Sequence, residues 1–501
     1  MKWTQQLTHW AKLSVFIPVV ITHATAASEE RASAAGVDVT ESPSIRQQVE
    51  SKNEAKPFVL DKRLSGGQGT VTPVGDHAFS LPAANLPLSQ RLDFSVGNSF
   101  FRNPWVQAPS TTDARDGLGP LFNTNGCENC HIRDGRGHPP QSAKDNAVSM
   151  LIRLSVPATS PAQQKLIQRQ GVIGEPTYGT QLQDFALPGQ KPEAKVAVEY
   201  HYQEVQFADG YTVTLRKPKI VLSELAYGKM SQQVQMSARI APPMIGLGLL
   251  ESIDDATLLA AQDPNDYDQD GISGRVNWVW DRQAERLAIG RFGWKAGQPT
   301  LMQQNASAFS EDLGLTSHMF PKPSCQPSQT LCQQLPDGGS PEVSKRVLNF
   351  VEFYTRHLAV PARRQLDDAL ALQGEKTFTE LGCGRCHQPV FKTGNRPETP
   401  ALSQQVIHPY SDLLLHDMGE GLADNRPEFT ANGREWRTPP LWGIGYTKKI
   451  SGHTHYLHDG RARNLLEAIL WHGGEAEPIK QQVLQLNEQQ REALVAFLQS
   501  L

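Results

Sequence analysis

Two five-residue motifs carry the clearest chemical signal in this 501-residue chain. Both read C-x-x-C-H, and their cysteines and histidines are Cys127, Cys130 and His131, then Cys383, Cys386 and His387. Two thiols one helical turn apart can add to the two vinyl groups of a haem, and the histidine that follows then lies beneath the iron as its proximal ligand. A zinc site or a dithiol redox site does not need that histidine. The motifs therefore predict two covalently bound haem c groups, with His131 and His387 as iron ligands.

Two haems in one chain are typical of an electron-transfer enzyme, in which one haem relays electrons while the other meets the substrate. The remaining cysteines, Cys325 and Cys332, enclose a short polar loop and predict a structural disulfide. A formal net charge of −4 argues against nucleic acid as a partner, because nucleic-acid binders need a basic face.

The N-terminus has the features of a secretory signal peptide. A short apolar run at residues 13–21 follows two lysines and is interrupted by Pro18, and the small-x-small sequence Ala-Thr-Ala comes next at residues 24–26. The run is too short to span a bilayer comfortably. We expect residues 1–26 to be removed on export to the periplasm, leaving no stable membrane insertion; an uncleaved anchor is the alternative.

Composition and periodicity divide the rest of the chain into three parts. Residues 27–85 are rich in Ala, Ser, Glu, Pro and Gly and predict an irregular leader. Residues 86–345 hold the first motif and an alternating stretch, 195–222, that predicts a β-hairpin. Residues 346–501 show helical spacing of apolar residues around the second motif. The predicted fold class is mainly α, with two c-type cytochrome-like haem domains, a small β-rich insertion and long loops.

An acidic stretch suggests a calcium ion. Residues 266–271 read D-x-D-x-D-G, the first half of an EF-hand loop, so Asp266, Asp268 and Asp270 would supply carboxylate ligands. The twelfth position is Asn277, where an EF-hand has a bidentate glutamate. A different oxygen cage, or a solvated acidic turn without an ion, are the alternatives.

Several long blocks, in one order, resemble the di-haem oxidoreductase family, whose members are often labelled peroxidases or thiol oxidoreductases. The blocks are residues 101–123, 126–140, 241–253, 268–277, 290–296, 413–424, 435–445 and 456–476. More distant relatives include bacterial di-haem cytochrome c peroxidases. The resemblance implies a haem-dependent oxidoreductase of peroxidase type. Its C-terminal haem would relay electrons from a redox partner protein to the N-terminal haem, where a small oxidant such as peroxide is reduced.

The resemblance also implies the sixth ligand of the second haem. In the wider peroxidase group a Y-x-H-x-G segment precedes a helix that carries this ligand, and counting fourteen residues on from His458 leads to His472. A histidine there would make the second haem bis-histidine, with a lower potential than a His/Met haem. The alternative is that His472 caps its helix before Gly473, where a cation meets the helix dipole.

Other roles follow from the same blocks. In the relatives a glutamate of the N-terminal haem domain moves a proton during peroxide cleavage, and Glu251 is its best match here, although the local pattern differs. A helix-surface or salt-bridged carboxylate is the alternative role of Glu251. The cations expected to hold haem propionates are Arg291, Lys295 and Arg437. Three tryptophans could be relays between the haems or ordinary core residues, and they are Trp278, Trp280 and Trp294. If the first haem has a sixth ligand, the candidates are His138, Met244 and Met418.

Two other functions stay open at this point. A non-catalytic electron-transfer cytochrome would have strong ligands on both faces of both haems. Haem oxygenase-type chemistry on an organic substrate would need an apolar distal pocket that lacks an acid. A peroxidase needs one vacant iron position with a carboxylate beside it.

Overall fold

Short helices and two-stranded sheets joined by long loops make up the chain. The structure, a computed structural model, describes residues 61–73, 75–140, 145 and 149–501. Helix accounts for 31% and strand for 18% of this part. The prediction of a mainly α fold was wrong, because the described strands pair as six separate antiparallel sheets spread along the chain and not as one insertion. Most of these strands are too short to show a period in the sequence.

The helices of the described residues are mostly of three turns or fewer. The α-helices are α1 (Arg91–Arg102), α2 (Cys127–Cys130), α3 (Pro161–Gln170), α4 (Leu247–Glu251), α5 (Asp255–Ala261), α6 (Leu301–Asp312), α7 (Lys345–Arg356), α8 (Ala369–Glu380), α9 (Gly419–Leu422), α10 (Thr447–Ser451), α11 (Leu465–Leu470), α12 (Glu477–Val483) and α13 (Glu488–Ser500). Single turns of 3₁₀-helix occur at Gly67–Gly69, Leu88–Gln90, Asp113–Arg115, Ile132–Asp134, Cys332–Gln334, Cys383–Arg385, Pro400–Leu402, Ile444–Tyr446 and Gly474–Ala476.

The strands pair two by two. They are β1 (Leu121–Phe122), β2 (Met150–Ser155), β3 (Phe185–Ala186), β4 (Lys195–Gln206), β5 (Thr212–Ser223), β6 (Gln235–Ile240), β7 (Trp278–Asp281), β8 (Arg286–Ile289), β9 (Phe391–Lys392), β10 (Val406–Ile407), β11 (Leu415–Asp417) and β12 (Glu435–Arg437). The pairs are β1 with β3, β2 with β6, β4 with β5, β7 with β8, β9 with β10, and β11 with β12. Only β4 and β5, at 12 residues each, are long strands.

The β4–β5 hairpin confirms the hairpin predicted from alternation. Lys195 lies opposite Ser223 and Gln206 opposite Thr212. In the turn, Gly210 has a φ of +87°, in the left-handed region that glycine adopts without steric penalty. One face of the hairpin packs Leu215 against the hydrophobic core around the second motif.

A closely packed pair of helices stands behind each C-x-x-C-H motif. Helix α1 packs on α7 and contacts α2, while α8 packs on α13 and leads into the second motif. Both crossings need a glycine: a Cβ at Gly97 would lie 2.1 Å from the carbonyl oxygen of Phe350, and one at Gly374 would lie 1.8 Å from that of Ala493. These close approaches require glycine at both helix crossings.

Other predictions concern the organisation of the chain. The disulfide between Cys325 and Cys332 is present, with 5.8 Å between the Cα atoms, which confirms that prediction. Residues 61–501 group as one unit. The division at residues 345/346 stays a prediction, and α7, which begins at this boundary, packs on both α1 and α6. The predicted signal peptide and residues 27–60 of the predicted leader lie outside the described residues. None of the described helices has the length and apolar character that a bilayer crossing requires.

Candidate functional site

The first motif lies in the wall of a cavity of about 240 Å³, called here the first cavity. Helix α2 places Cys127 and Cys130 on one turn, and His131 follows directly. The Nδ1 atom of His131 lies 2.8 Å from the carbonyl oxygen of Pro242, to which it can donate. Nε2 is then the nitrogen left to bind a metal. Burial lowers the pKa of His131 to about 4, so the imidazole is neutral, which is the form that ligates iron.

The second motif lies in the wall of another cavity of about 180 Å³, the second cavity, where two histidines face each other. The ring centroids of His387 and His472 are 6.4 Å apart. Two imidazoles on opposite sides of one iron, each bound at about 2 Å, would have centroids about 6 Å apart. The Nδ1 atoms lie near backbone carbonyls, at 3.0 Å from Tyr410 O and 2.8 Å from Ala468 O respectively, which leaves both Nε2 atoms to bind metal. The spacing fits one iron between the two rings.

The bond to Ala468 bears on the alternative reading of His472. Ala468 lies in α11, four residues before His472, so the imidazole does meet a carbonyl at the end of that helix. Burial lowers the pKa of His472, so the ring is not the cation that a dipole-capping role requires. The same hydrogen bond leaves Nε2 as the nitrogen of His472 that can bind a metal.

The cysteines of both motifs are buried thiols. Burial raises the pKa of Cys127 and of Cys383 to about 12. The pKa values of Cys130 and Cys386 are raised too, again mainly by burial. Each wall is therefore built for an uncharged sulfur, which is what a thioether link to haem presents.

One polar helix face lines the first cavity. Eight of the ten α6 residues from 303 to 312 contribute to its wall, and they are Gln303, Gln304, Asn305, Ser307, Ala308, Phe309, Glu311 and Asp312. The helix begins where the Thr300 side chain accepts a hydrogen bond from the N–H of Gln303. This face was not predicted from the sequence. Its signal was the sequence QQNASAFSED, where buried helical positions carry amides and hydroxyls without an apolar stripe.

Two of the carboxylates in the first cavity are held by arginines. Glu311 pairs with Arg153, and Glu428 pairs with Arg239 at 2.8 Å and Arg426 at 2.9 Å. Burial alone would raise the pKa of both carboxyl groups, but the arginine charges outweigh it and hold both pKa values below the ordinary value. These two groups therefore remain carboxylates at neutral pH.

The third carboxylate is different. Asp312 forms no ion pair among the described residues, and its Oδ1 accepts a hydrogen bond from Gln181 Nε2 at 2.8 Å. Burial raises the pKa of Asp312 to about 6. It is the carboxyl group of this wall that is closest to exchanging a proton near neutral pH.

A shared wall separates the two cavities. Arg136, Trp294, Arg437, Pro439 and Pro440 line both of them. The indole Nε1 of Trp294 donates to the carbonyl oxygen of Ile240 at 2.8 Å, which fixes the ring in place. The other two tryptophans considered as relays, Trp278 and Trp280, line neither cavity.

Two arginines of the shared wall test whether the cavities fit haem. Arg437 donates to the carbonyl oxygens of Gly293 and Thr438, and Nε and Nη1 of Arg136 are buried with no hydrogen-bond partner. In the described part of the chain neither guanidinium is paired with a carboxylate. Burial lowers the pKa of each to about 10. A buried, unpaired cation is unfavourable without an anion, and haem propionates are such anions. The residues present therefore fit the group.

Glu251 lies outside both cavity walls. Its Oε1 accepts a hydrogen bond from the N–H of Leu301 at 2.8 Å, at the start of α6, and its Oε2 pairs with Arg356 at 2.9 Å. The structure thus places it as a salt-bridged carboxylate that holds α4 to α6 and α7. The catalytic position expected from the resemblance is not where this side chain lies, because Leu247 and Leu250 are the α4 residues that reach the first cavity.

Arg291 also lies away from the cavities. Its guanidinium pairs with Asp255 at 2.5 Å and donates to the carbonyl oxygens of Leu250 and Ile253. Its bonds are therefore satisfied locally, and its side chain lines neither cavity. Lys295 is fully buried and pairs with Asp424 at 3.1 Å.

The candidate sixth ligands of the first haem are scattered. Met244 lines the first cavity and Met418 the second. His138 lines neither, and its ring packs against that of His453 at 5.3 Å. Among the described residues of the first cavity wall, His131 is the one histidine.

The acidic loop brings three carboxylates together, in a different set from the predicted one. Ligand oxygens of Asp263, Asp266 and Asp268 lie within 4.8 Å of one another. Asp270 instead pairs with Arg385 of the second motif at 3.4 Å. Asn277 is buried and bonded to the backbone of Lys295, away from the loop's carboxylates. Calcium binding by Asp266, Asp268 and Asp270 stays a prediction, and the geometry favours Asp263 over Asp270.

A buried cation beside the second motif was missed. His416 lines the second cavity, with Nε2 2.9 Å from Asp412 and Nδ1 2.7 Å from Glu475, and the Sγ of Cys386 lies 3.7 Å away. Burial would lower the pKa of His416, but the hydrogen bonds to both carboxylates raise it well above the ordinary value. Two clues in the sequence were the four-residue spacing from Asp412 and the position of Glu475 just after His472.

Comparison with known proteins agrees with this geometry. The family model described as "Di-haem oxidoreductase, putative peroxidase" matches residues 59–501, nearly the whole chain. No curated protein and no solved structure matches this chain. Two cavities, each with one C-x-x-C-H motif in its wall, are what a two-haem protein requires. The chain belongs to the di-haem oxidoreductase family.

Proposed function

We propose that this oxidoreductase is a peroxidase in which the haem of the second cavity relays electrons to the haem of the first, where a small oxidant such as peroxide is reduced. The observation that carries the proposal is the difference in histidines. Two imidazoles face each other across the second cavity, whereas His131 is the one histidine of the first. When bound, a haem with one axial ligand supplies an iron position that an oxidant can reach.

Covalent attachment belongs to the proposal. Each cavity wall holds both cysteines and the histidine of one motif, so one haem c per cavity would be tethered and ligated by neighbouring residues. The guanidinium groups of Arg136 and Arg437 would bind propionates in the shared wall. A calcium ion in the acidic loop is not needed for any step.

The electron path runs through the shared wall. Trp294 is the aromatic residue that contributes to both cavities and is fixed by its bond to Ile240. An aromatic ring at this place shortens the distance that an electron must cross between the two porphyrins. Electrons would enter at the second haem from a redox partner protein.

The proton path starts from Asp312. Cleaving the O–O bond of peroxide requires that a proton moves from one oxygen to the other. Glu311 and Glu428 are held as carboxylates by arginines, while the pKa of Asp312 is raised to about 6. Asp312 therefore takes the acid–base role first expected of Glu251, and the amide of Gln304, on the same helix face, can orient the oxidant.

The periplasm is the proposed location. The disulfide between Cys325 and Cys332 supports an oxidising compartment. The signal-peptide pattern at residues 1–26 supports export.

Optical and EPR spectra of the holoprotein test the proposal. We expect one low-spin and one high-spin haem, and we expect the high-spin signal to change when peroxide is added. Replacing Asp312 with Asn should lower peroxide turnover on the order of 10²-fold and remove the limb of the pH profile near pH 6. Two low-spin haems that peroxide leaves unchanged would identify an electron carrier instead. The charged wall of the first cavity offers no support for a hydrocarbon pocket.

A further inference from the structure

The first cavity has far more positive than negative side chains in its wall. Seven arginines line it, but its carboxylates are limited to Glu311, Asp312 and Glu428 in the described part of the chain. A cleft lined by one sign of charge, with walls of low dielectric constant, concentrates ions of the opposite sign. The excess of positive charge therefore belongs to the wall of the first cavity itself.

Three of these arginines pair with carboxylates of the cavity wall, and two more are expected to pair with haem propionates. Arg153 pairs with Glu311, and Arg239 and Arg426 pair with Glu428. Arg136 and Arg437 lie in the shared wall and fit the propionates of the two haems. Two arginines, Arg169 and Arg282, are left over.

The two remaining arginines are exposed at the mouth of the cavity, and each lies over an aromatic ring. The Cζ atom of Arg169 is 4.9 Å from the ring centroid of Trp280, and that of Arg282 is 4.3 Å from the ring centroid of Phe320. Neither guanidinium pairs with a carboxylate of any described residue. Stacking on a ring holds a guanidinium in place while its N–H groups stay available.

One buried amide ties both arginine positions to the cavity. Gln303 of α6 donates through Nε2 to the carbonyl oxygen of Trp280 at 3.0 Å, and its Oε1 accepts from the N–H of Arg282 at 2.8 Å. The backbone of Trp280, whose ring lies beneath Arg169, and the backbone of Arg282 are thus anchored by the same side chain, on a helix that contributes to the cavity wall. We call Arg169 and Arg282 the arginine rim.

We propose that the arginine rim binds a small oxyanion, so that the molecule entering the first cavity carries a carboxylate or a similar group. The planar guanidinium fork matches a carboxylate in two parallel hydrogen bonds. This inference rests on the proposed function only in placing a haem behind the rim, and it adds a substrate class to it: a neutral peroxide alone needs no such cations.

Protection from chemical labelling tests anion binding without using haem chemistry. The holoprotein is treated with phenylglyoxal, which modifies arginine, and labelling is followed site by site by mass spectrometry. Benzoate should slow labelling of Arg169 and Arg282 about three-fold or more, while neutral benzamide should not. Arg286, which is exposed on the same β7–β8 hairpin and lines no cavity, is the internal control. Equal protection by benzamide, equal slowing at Arg286, or no protection would overturn the proposal.

Ligand binding to the ferric holoprotein gives the second arm. In the double variant Arg169→Gln/Arg282→Gln, the Kd for azide, an anion, should rise about ten-fold, while the Kd for neutral imidazole stays as in the wild type. Arg286→Gln should bind both like the wild type. An azide Kd unchanged in the double variant would overturn the arginine rim. If neither ligand binds the wild type, the open iron position of the proposed function fails, and the labelling result alone decides the rim.

Discussion

The two cavities share the device that would hold a haem and differ in the rest of their walls. Behind each motif two helices cross at a glycine, and each proximal histidine is oriented by a backbone carbonyl. Opposite His387 lies His472, whereas the first cavity presents the polar face of α6 and a set of arginines. We therefore expect the C-x-x-C-H motif to determine where a haem is attached. The rest of the cavity wall should determine whether the haem iron can do more than transfer electrons.

Removing the cysteines of one motif at a time should have the largest effect, because each variant should lose one of the two haems. The variant Cys383→Ser/Cys386→Ser should retain only the first haem, and Cys127→Ser/Cys130→Ser only the second, because each pair lies in one wall. A pyridine haemochrome assay should report half the wild-type haem in both. The first variant should be high-spin and the second low-spin. A high-spin haem in the second variant would show that His472 is not a ligand.

If His472 binds the second haem as proposed, replacing it should make that haem less reducing. In His472→Met the reduction potential of this haem should rise on the order of 0.1 V, because a thioether stabilises ferrous iron better than imidazole does. A spectroelectrochemical titration measures the change. His138→Met, whose side chain lines neither cavity, serves as the matched control and should leave both potentials in place. Equal shifts in the two variants would contradict the assignment.

The sequence predicts more of the second cavity than of the first, for a physical reason. The surroundings of the second cavity have local patterns: helices such as α8 and α13 have apolar periodicity, and His472 lies fourteen residues after His458. The polar wall of the first cavity is assembled from segments far apart in the chain, such as Glu428 and Arg239, which meet only in the fold. No periodicity marks them, and buried polar residues look like surface residues in a sequence.

The same limit explains the wrong prediction of the fold class and why the positions of some site residues could not be foreseen. Strands of two to four residues, such as β9 or β11, are shorter than any detectable period, so the fold was judged too helical. Glu251 and Arg291 lie in blocks that resemble the family, but a block does not tell which side chain turns towards a cavity. The hairpin and the disulfide were predictable because each is closed over a short stretch of chain.

A buried carboxyl group close to the first motif, that of Asp134, should make the stability of the protein depend on pH. Burial raises the pKa of Asp134 to about 7, although the hydroxyl of Tyr354, 2.8 Å from its oxygens, acts to lower it. The folded state then binds this proton up to about pH 7, while the unfolded state releases it near the ordinary aspartate pKa of 3.8. The contribution of this group to stability is therefore full at low pH and is lost as the pH rises through 7. Between pH 5 and 7, the free energy of unfolding should fall by roughly 1 to 3 kcal/mol more in the wild type than in Asp134→Asn.

Chemical denaturation at the two pH values measures this difference. Asp93→Asn, at an exposed position of α1, is the control and should keep the wild-type slope. A slope in Asp134→Asn equal to that of the wild type would mean that the Asp134 carboxyl is already ionised at pH 5 in the folded protein.

Glu251→Gln should have the smallest effect on activity, and it separates the family-based expectation from the structure. A general acid–base in the first cavity contributes on the order of 10² to 10⁴ in rate. Glu251 instead joins the start of α6 to Arg356, so peroxide turnover should stay within about two-fold of the wild type while stability falls by about 1 to 2 kcal/mol. Asp312→Asn, which changes a side chain of the first cavity wall, should show the opposite pattern. A hundred-fold loss of turnover in Glu251→Gln at full stability would mean that this side chain leaves Arg356 during the reaction and enters the first cavity.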